Sequence, residues 1–218
     1  MKSYPTPQTL ISAVIASLAV LCSGQAFAAN PFAKISPAQW EEAMVISGFD
    51  SELLYAIALV ESGTSFDGMR EYGPWPWVMN VNRKPMFFAT RTAAREALQK
   101  ELDAKNDRVA VGMFQIYLRY NAKYANDPID LIDPVVNMYA GAMVLRECGI
   151  TYKTTESILS CYHSGDQDKA GRSYAKRVLR YAEKWGKPFR MEGRKVAVRY
   201  SRKAVSYTHL TLPTICSV

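Results

Sequence analysis

Glu61 stands where a carboxylate is least at ease. Leu53, Leu54, Ile57, Ala58 and Glu61 recur at the three-to-four spacing of a single helical face, so the acid continues an apolar stripe. Gly63 follows and stops the helix, which puts Glu61 in its last turn, against the negative end of the helix dipole. Partial burial and the dipole both disfavour the charged form and push the pKa upward. A carboxyl that holds its proton near neutrality is what a general acid requires. Alone, the same pattern also fits a glutamate swung out to water at a helix end.

Metal and nucleophile chemistry find little footing. The chain has two histidines, His163 and His209, and neither a His-Glu-x-x-His nor a Gly-x-Ser-x-Gly pattern, so no metal and no cofactor are expected.

The elements that must position Glu61 are mostly helices. Ser36, Pro37 and Gln39 form a capping box ahead of a helix to Ser47, ended by Gly48, and Asp50 caps the helix that carries Glu61. From Asp67 to Val109 the texture changes. Trp75-Pro76-Trp77, the alternation from Val78 to Asn82, a turn at Asn82-Arg83-Lys84 and the return through Met86-Phe87-Phe88 predict a small hairpin. Thr90 or Thr92 then caps a helix to about Lys105, and Asn106-Asp107-Arg108 leads back to the core. Three more helices are expected. Asp133-Pro134 opens one to Cys148 with Gly149 after it, Thr154 or Thr155 opens one to Tyr162, and the last runs from Arg172 to Trp185.

At 218 residues and 49% apolar content the chain can bury one core of ordinary size. Its first 28 residues have the form of a secretory signal: Lys2, an apolar run from Leu10 to Cys22, and Ala26-Phe27-Ala28, with cleavage expected after Ala28. The run is shorter than the roughly 20 residues of a membrane span, so no transmembrane anchor is expected. Leu21 before Cys22 speaks against a lipoprotein. Export to an oxidising periplasm favours pairing of Cys148 with Cys161, two buried free thiols being the alternative. The net charge of +7 is concentrated in a basic tail over 189–205, which suits an anionic partner such as cell wall or phospholipid, or is merely solvated. Residues 206–218, with His209 and Cys216, lose charge and periodicity abruptly and read as a cloning or sequencing scar. The export signal and the lack of a basic-aromatic motif speak against nucleic acid.

Five segments between Ile35 and Trp185 carry a family resemblance. Ala58-Leu59-Val60-Glu61-Ser62-Gly63 is similar to the catalytic motif of the soluble lytic transglycosylases. Gly112-Met113-Phe114-Gln115-Ile116 resembles their Gly-Leu-Met-Gln-Ile loop, and Asn137-Met138-Tyr139-Ala140-Gly141 their Asn-Ile-x-x-Gly helix. Cys161-Tyr162-His163-Ser164-Gly165 stands where they have Ala-Tyr-Asn-x-Gly, and Tyr174 to Val178 resembles their Tyr-x-x-x-Val element. The insert from Tyr72 to Phe88, with Pro74-Trp75-Pro76-Trp77 and Asn80-Val81-Asn82, further resembles transglycosylases encoded on conjugative elements.

The resemblance implies a mainly α (α+β) fold, a lysozyme-like helical domain over 30–188 with a small β-hairpin insert at about 67–109. It implies an enzyme that acts on peptidoglycan in the periplasm. Most glycoside hydrolases use two carboxylates, but the motifs supply one, and a lytic transglycosylase manages with one. Glu61 would protonate the bond between N-acetylmuramic acid and N-acetylglucosamine, then accept the C6 hydroxyl proton, leaving a 1,6-anhydro end. Ser62 and Gln115 would bond substrate or Glu61, and the backbone of Met113 and Phe114 would meet N-acetyl groups. Tyr162 and Tyr174 would line the cleft, or else simply pack in the core. His163 replaces the family's Asn; neutral imidazole both donates and accepts, and protonation below about pH 6.5 would end that. Trp75 and Trp77 would stack on sugars or pack in the core. The alternatives are a hydrolysing muramidase, with Asp67, Glu71 or another acid of the insert as second carboxylate, and a non-catalytic wall-binding subunit. A conjugation, secretion or pilus system is the expected partner.

Overall fold

The computed structural model describes residues 35–65 and 72–186. The expected signal segment 1–28, the basic tail 189–205, the terminal segment 206–218, and Asp67 and Glu71 lie outside the described residues.

Helix α1 (Pro37–Ser47) starts on a complete capping box between Ser36 and Gln39 and ends at Gly48 in the left-handed conformation. Asp50 accepts from the Leu53 amide to open α2 (Ser51–Ser62), which turns 91° away from α1. Leu54, Ala56, Ile57, Ala58 and Leu59 of α2 are all fully or almost fully buried, so this helix is the axis of the core. No single described helix is long and apolar enough to cross a membrane.

Two short strands follow, β1 (Gly63–Thr64) paired with β2 (Gly73–Pro74), and then the hairpin of β3 (Val78–Val81) and β4 (Lys84–Phe87). The turn is made by Asn82 and Arg83, both with positive φ, as a two-residue hairpin demands. The hairpin does not stand alone. β5 (Val109–Val111) pairs with β3 and β6 (Ile116–Tyr117) with β5, giving an antiparallel sheet in the order β4-β3-β5-β6. These two strands were not expected, because three-residue and two-residue segments carry too little alternation to register as strands.

Thr90 caps α3 (Arg91–Asp103). A one-turn α4 (Leu118–Asn121) and 3-10 turns at Ala122–Tyr124 and Pro128–Ile132 lead to α5 (Pro134–Thr151), capped by Asp133. Gly149 does not end α5. It is buried inside the helix, which continues to Thr151, because tertiary packing outweighs the intrinsic penalty of one glycine. Helix α6 (Thr155–Ser164) is capped by Thr154 and runs past Tyr162 to the left-handed Gly165. Helix α7 (Lys169–Tyr181) begins earlier than Arg172, since Asp168 accepts from the Gly171 amide, and passes into a π-helical segment at Ala182–Gly186. α7 packs on both α6 and α2, and α1 packs on α5. A disulfide joins Cys148 of α5 to Cys161 of α6, with Cα atoms 5.9 Å apart.

Candidate functional site

The cleft lies between the end of α2, the sheet and α6. Glu61, Asn80, Gln115, Tyr117, Tyr162 and His163 line it, with Ala110, Ile116, Asn121 and Val144 completing a cavity of about 250 Å³. Among the described residues Glu61 is the only carboxylate in that lining.

The Glu61 carboxyl is pushed up to about 7, chiefly by desolvation. Two neighbours oppose the shift, the Tyr174 hydroxyl facing it and the more distant Arg177 guanidinium. Tyr174 is buried, and its hydroxyl completes no hydrogen bond of standard geometry, although it stands close enough to the carboxyl to perturb it. Both Tyr174 and Tyr162 have phenol pKa values raised by burial and by the nearby Glu61 charge, so each stays a neutral donor. The Tyr162 hydroxyl donates to the Phe114 carbonyl at 2.7 Å.

The loop facing Glu61 is held from beneath by one side chain. Asn137 of α5 is 1% exposed; its Oδ1 accepts from the Phe114 amide at 2.8 Å, and its Nδ2 donates to the Val111 and Leu131 carbonyls at 2.8 and 3.0 Å. Gly112 has φ +75°, and a Cβ there would fall 2.2 Å from Asn137 Nδ2. Gly141, one turn after Asn137, leaves room for the Phe114 ring, which a Cβ would meet at 2.6 Å. Gln115 adopts a positive φ and anchors its amide on the Gly112 carbonyl while lining the cleft.

The other expected site residues are placed differently. Ser62 is buried; its hydroxyl donates to the Ala58 carbonyl and accepts from the Trp75 amide, so it joins α2 to the segment after β2 rather than facing the cleft. The Met113 and Phe114 side chains are in the core, and the Phe114 amide and carbonyl both have partners within the protein. Trp75 and Trp77 are buried edge to face, with centroids 5.3 Å apart, and Trp75 donates to the Phe88 carbonyl; of the two readings of these rings, core packing is the one realised.

His163 lines the cleft with its ring stacked on Tyr174, centroids 4.5 Å apart and planes 5° from parallel. Desolvation and Arg177 lower its pKa from the ordinary 6.5, partly offset by Asp168. Loss of function near pH 6.5 is therefore not expected; the neutral imidazole persists to lower pH.

Sequence reasoning gave no individual role to Asn137 or Arg177, although both lie within or beside quoted motifs. Asn80, Ala110 and Tyr117 enter the cleft through strand pairing and Asn121 through α4, so none of the four had an individual role in the sequence.

Residues 38–179 match the family model of the transglycosylase SLT domain. No curated protein matches the chain. No solved structure matches it either.

Proposed function

Because the chain belongs to the transglycosylase SLT domain family, and is thus a peptidoglycan-cleaving lytic transglycosylase, we propose that Glu61 serves in turn as its catalytic acid and base. The observation that carries this reading is Glu61, which among the described residues is the one carboxyl lining the cleft and whose pKa burial raises to about 7. At neutral pH such a group is divided between acid and carboxylate, which suits both halves of the cycle. It donates its proton to the glycosidic oxygen between N-acetylmuramic acid and N-acetylglucosamine, and that bond breaks. It then takes the proton of the muramoyl C6 hydroxyl as that oxygen bonds to C1, giving the 1,6-anhydro end without water.

Tyr174 faces Glu61 and orients it. Gln115 and His163 offer hydrogen bonds to the sugars, while Tyr162 acts through the loop carbonyl it holds. Asn137 positions that loop from outside the cleft. The leader ending at Ala28 would deliver the enzyme to the periplasm. The likeness of the Tyr72–Phe88 insert to transglycosylases of conjugative elements supports local wall opening for a conjugation, secretion or pilus machine.

Mass spectrometry of soluble muropeptides released from purified murein tests the chemistry. Products one water lighter than those of a muramidase are expected from the wild-type chain, with none from Glu61→Gln. Hydrated ends would establish the muramidase instead.

A further inference from the structure

Strand β4 forms the outer edge of the four-stranded sheet, and its four residues are all exposed, whereas Val78, Met79 and Val81 of the β3 strand it pairs with are buried. Met86 is 40% exposed and Phe87 44%. Successive strand residues point to opposite faces, so this edge is apolar on both sides. The exposed run begins ahead of these two residues, at Asn82, Arg83, Lys84 and Pro85. Arg83 and Lys84 stand at the tip of the hairpin, and neither side chain has an ion-pair partner among the described residues. Arg91 and Arg95 follow on the exposed side of α3, close after Phe87 in the chain. Over residues 72–100 the cations Arg83, Lys84, Arg91, Arg95 and Lys100 meet one carboxylate, Glu96.

We propose that the β3–β4 hairpin docks the protein on an anionic phospholipid surface, with the Arg83–Lys84 tip among the headgroups and Met86 and Phe87 at the acyl boundary. Binding to such a surface grows with both terms, the attraction of cations to anionic headgroups and the burial of apolar side chains in the boundary beneath them. The combination separates lipid from other anionic partners. Stem-peptide carboxylates of murein would meet Arg83 and Lys84 equally well but leave Met86 and Phe87 in water. A partner strand is poorly served, because β4 is four residues long and Pro85 brings no amide hydrogen to it. A second copy of the chain would bring the same excess of cations to the contact. Asn80, opposite Pro85 in β3, lines the cleft, so this seat keeps the cleft about 5 Å, one strand spacing, from the docked edge. Docking does not depend on the chemistry proposed for Glu61.

The test is sedimentation of the full chain with vesicles of phosphatidylcholine containing phosphatidylglycerol, against vesicles of phosphatidylcholine alone. The wild-type chain is expected to sediment with the anionic vesicles and far less with the zwitterionic ones. Arg83→Gln combined with Lys84→Gln is expected to weaken partitioning about 25-fold, each cation near the surface contributing about fivefold. Phe87→Ser is expected to weaken it about tenfold, and Phe87→Trp to strengthen it, since tryptophan favours the interface. Lys176→Gln combined with Arg180→Gln, a charge-matched change at exposed positions of α7, is expected to leave it unchanged. The basic tail 189–205 is present in every variant, so differences among them belong to the hairpin. Equal melting temperatures certify the fold; where Phe87→Ser melts early, Phe87→Trp and the Arg83–Lys84 pair decide. Absence of wild-type binding, or partitioning unchanged by the Arg83–Lys84 pair or by both Phe87 variants, would overturn the docking. An equal loss from the α7 pair would overturn it too, leaving net charge as the cause. Weakened sedimentation with purified murein, beside unchanged sedimentation with vesicles, would assign the hairpin to the wall instead.

Discussion

A carboxyl with a pKa near 7 in the folded chain returns to about 4.5 on unfolding. Between those values the folded state binds the extra proton, so stability falls as pH rises through this window, by about 3 kcal/mol once Glu61 is ionised. Glu61→Gln removes that charge, and the variant is expected to unfold at a higher temperature than wild type at pH 8, with the difference vanishing by about pH 4.5. Thermal melts at the two pH values decide it, and equal gaps at both would contradict the raised pKa. The activity limb set by Glu61 declines above pH 7, where the acid form is lost. On the acid side the expected titrating group is His163, whose pKa desolvation lowers from the ordinary 6.5. His163→Asn, whose amide never titrates, is expected to extend activity to lower pH and leave the limb near 7 in place. A pH-rate profile identical to wild type would remove His163 from the reaction.

At the scale of elements, the site depends on how α5 carries the Gly112–Ile116 loop. Asn137 satisfies one amide and two carbonyls that would otherwise be orphaned in the core. Asn137→Ala is expected to cost about 3 kcal/mol in urea unfolding and to lower kcat even in the fraction that remains folded. An unchanged midpoint would show that the loop holds itself. Much of this level was legible beforehand. Ser36, Asp50, Thr90, Asp133 and Thr154 all cap helices through their own side chains, a local signal that needs no tertiary knowledge. The face of α2 that bears Glu61 was equally readable from its period. What could not be read was pairing over distance: β5 and β6 are too short to announce themselves, and so the cleft roles of Asn80 and Tyr117 stayed hidden. Ser62 shows the reverse case, a motif residue next to Glu61 whose hydroxyl is spent within the scaffold.

Over the whole molecule, the Cys148–Cys161 bond ties α5, which supports the loop, to α6, which bears Tyr162 and His163. Closing a loop of sequence separation 13 stabilises by about 3 kcal/mol in the chain-entropy model. Reduction is expected to lower the melting temperature by several degrees and to slow murein release, and re-oxidation to recover both. Indifference to reductant in both measurements would show that packing alone fixes α5 on α6. In β3 and β5, Met79 and Val111 lie in the core while Asn80 and Ala110 line the cleft, and this alternation bears on how such an enzyme can diverge. Replacing Asn80, Ala110 or Tyr117 changes what the cleft meets while the core row stays as it is. Inserting or deleting a single residue within β3 or β5 would exchange the rows, sending Met79 or Val111 into the cleft and a polar or exposed side chain into the interior. Descendants of this chain can therefore alter the cleft by substitution at alternate positions, whereas changes of length must fall outside the paired strands and outside the two-residue Asn82-Arg83 turn that sets the β3–β4 register.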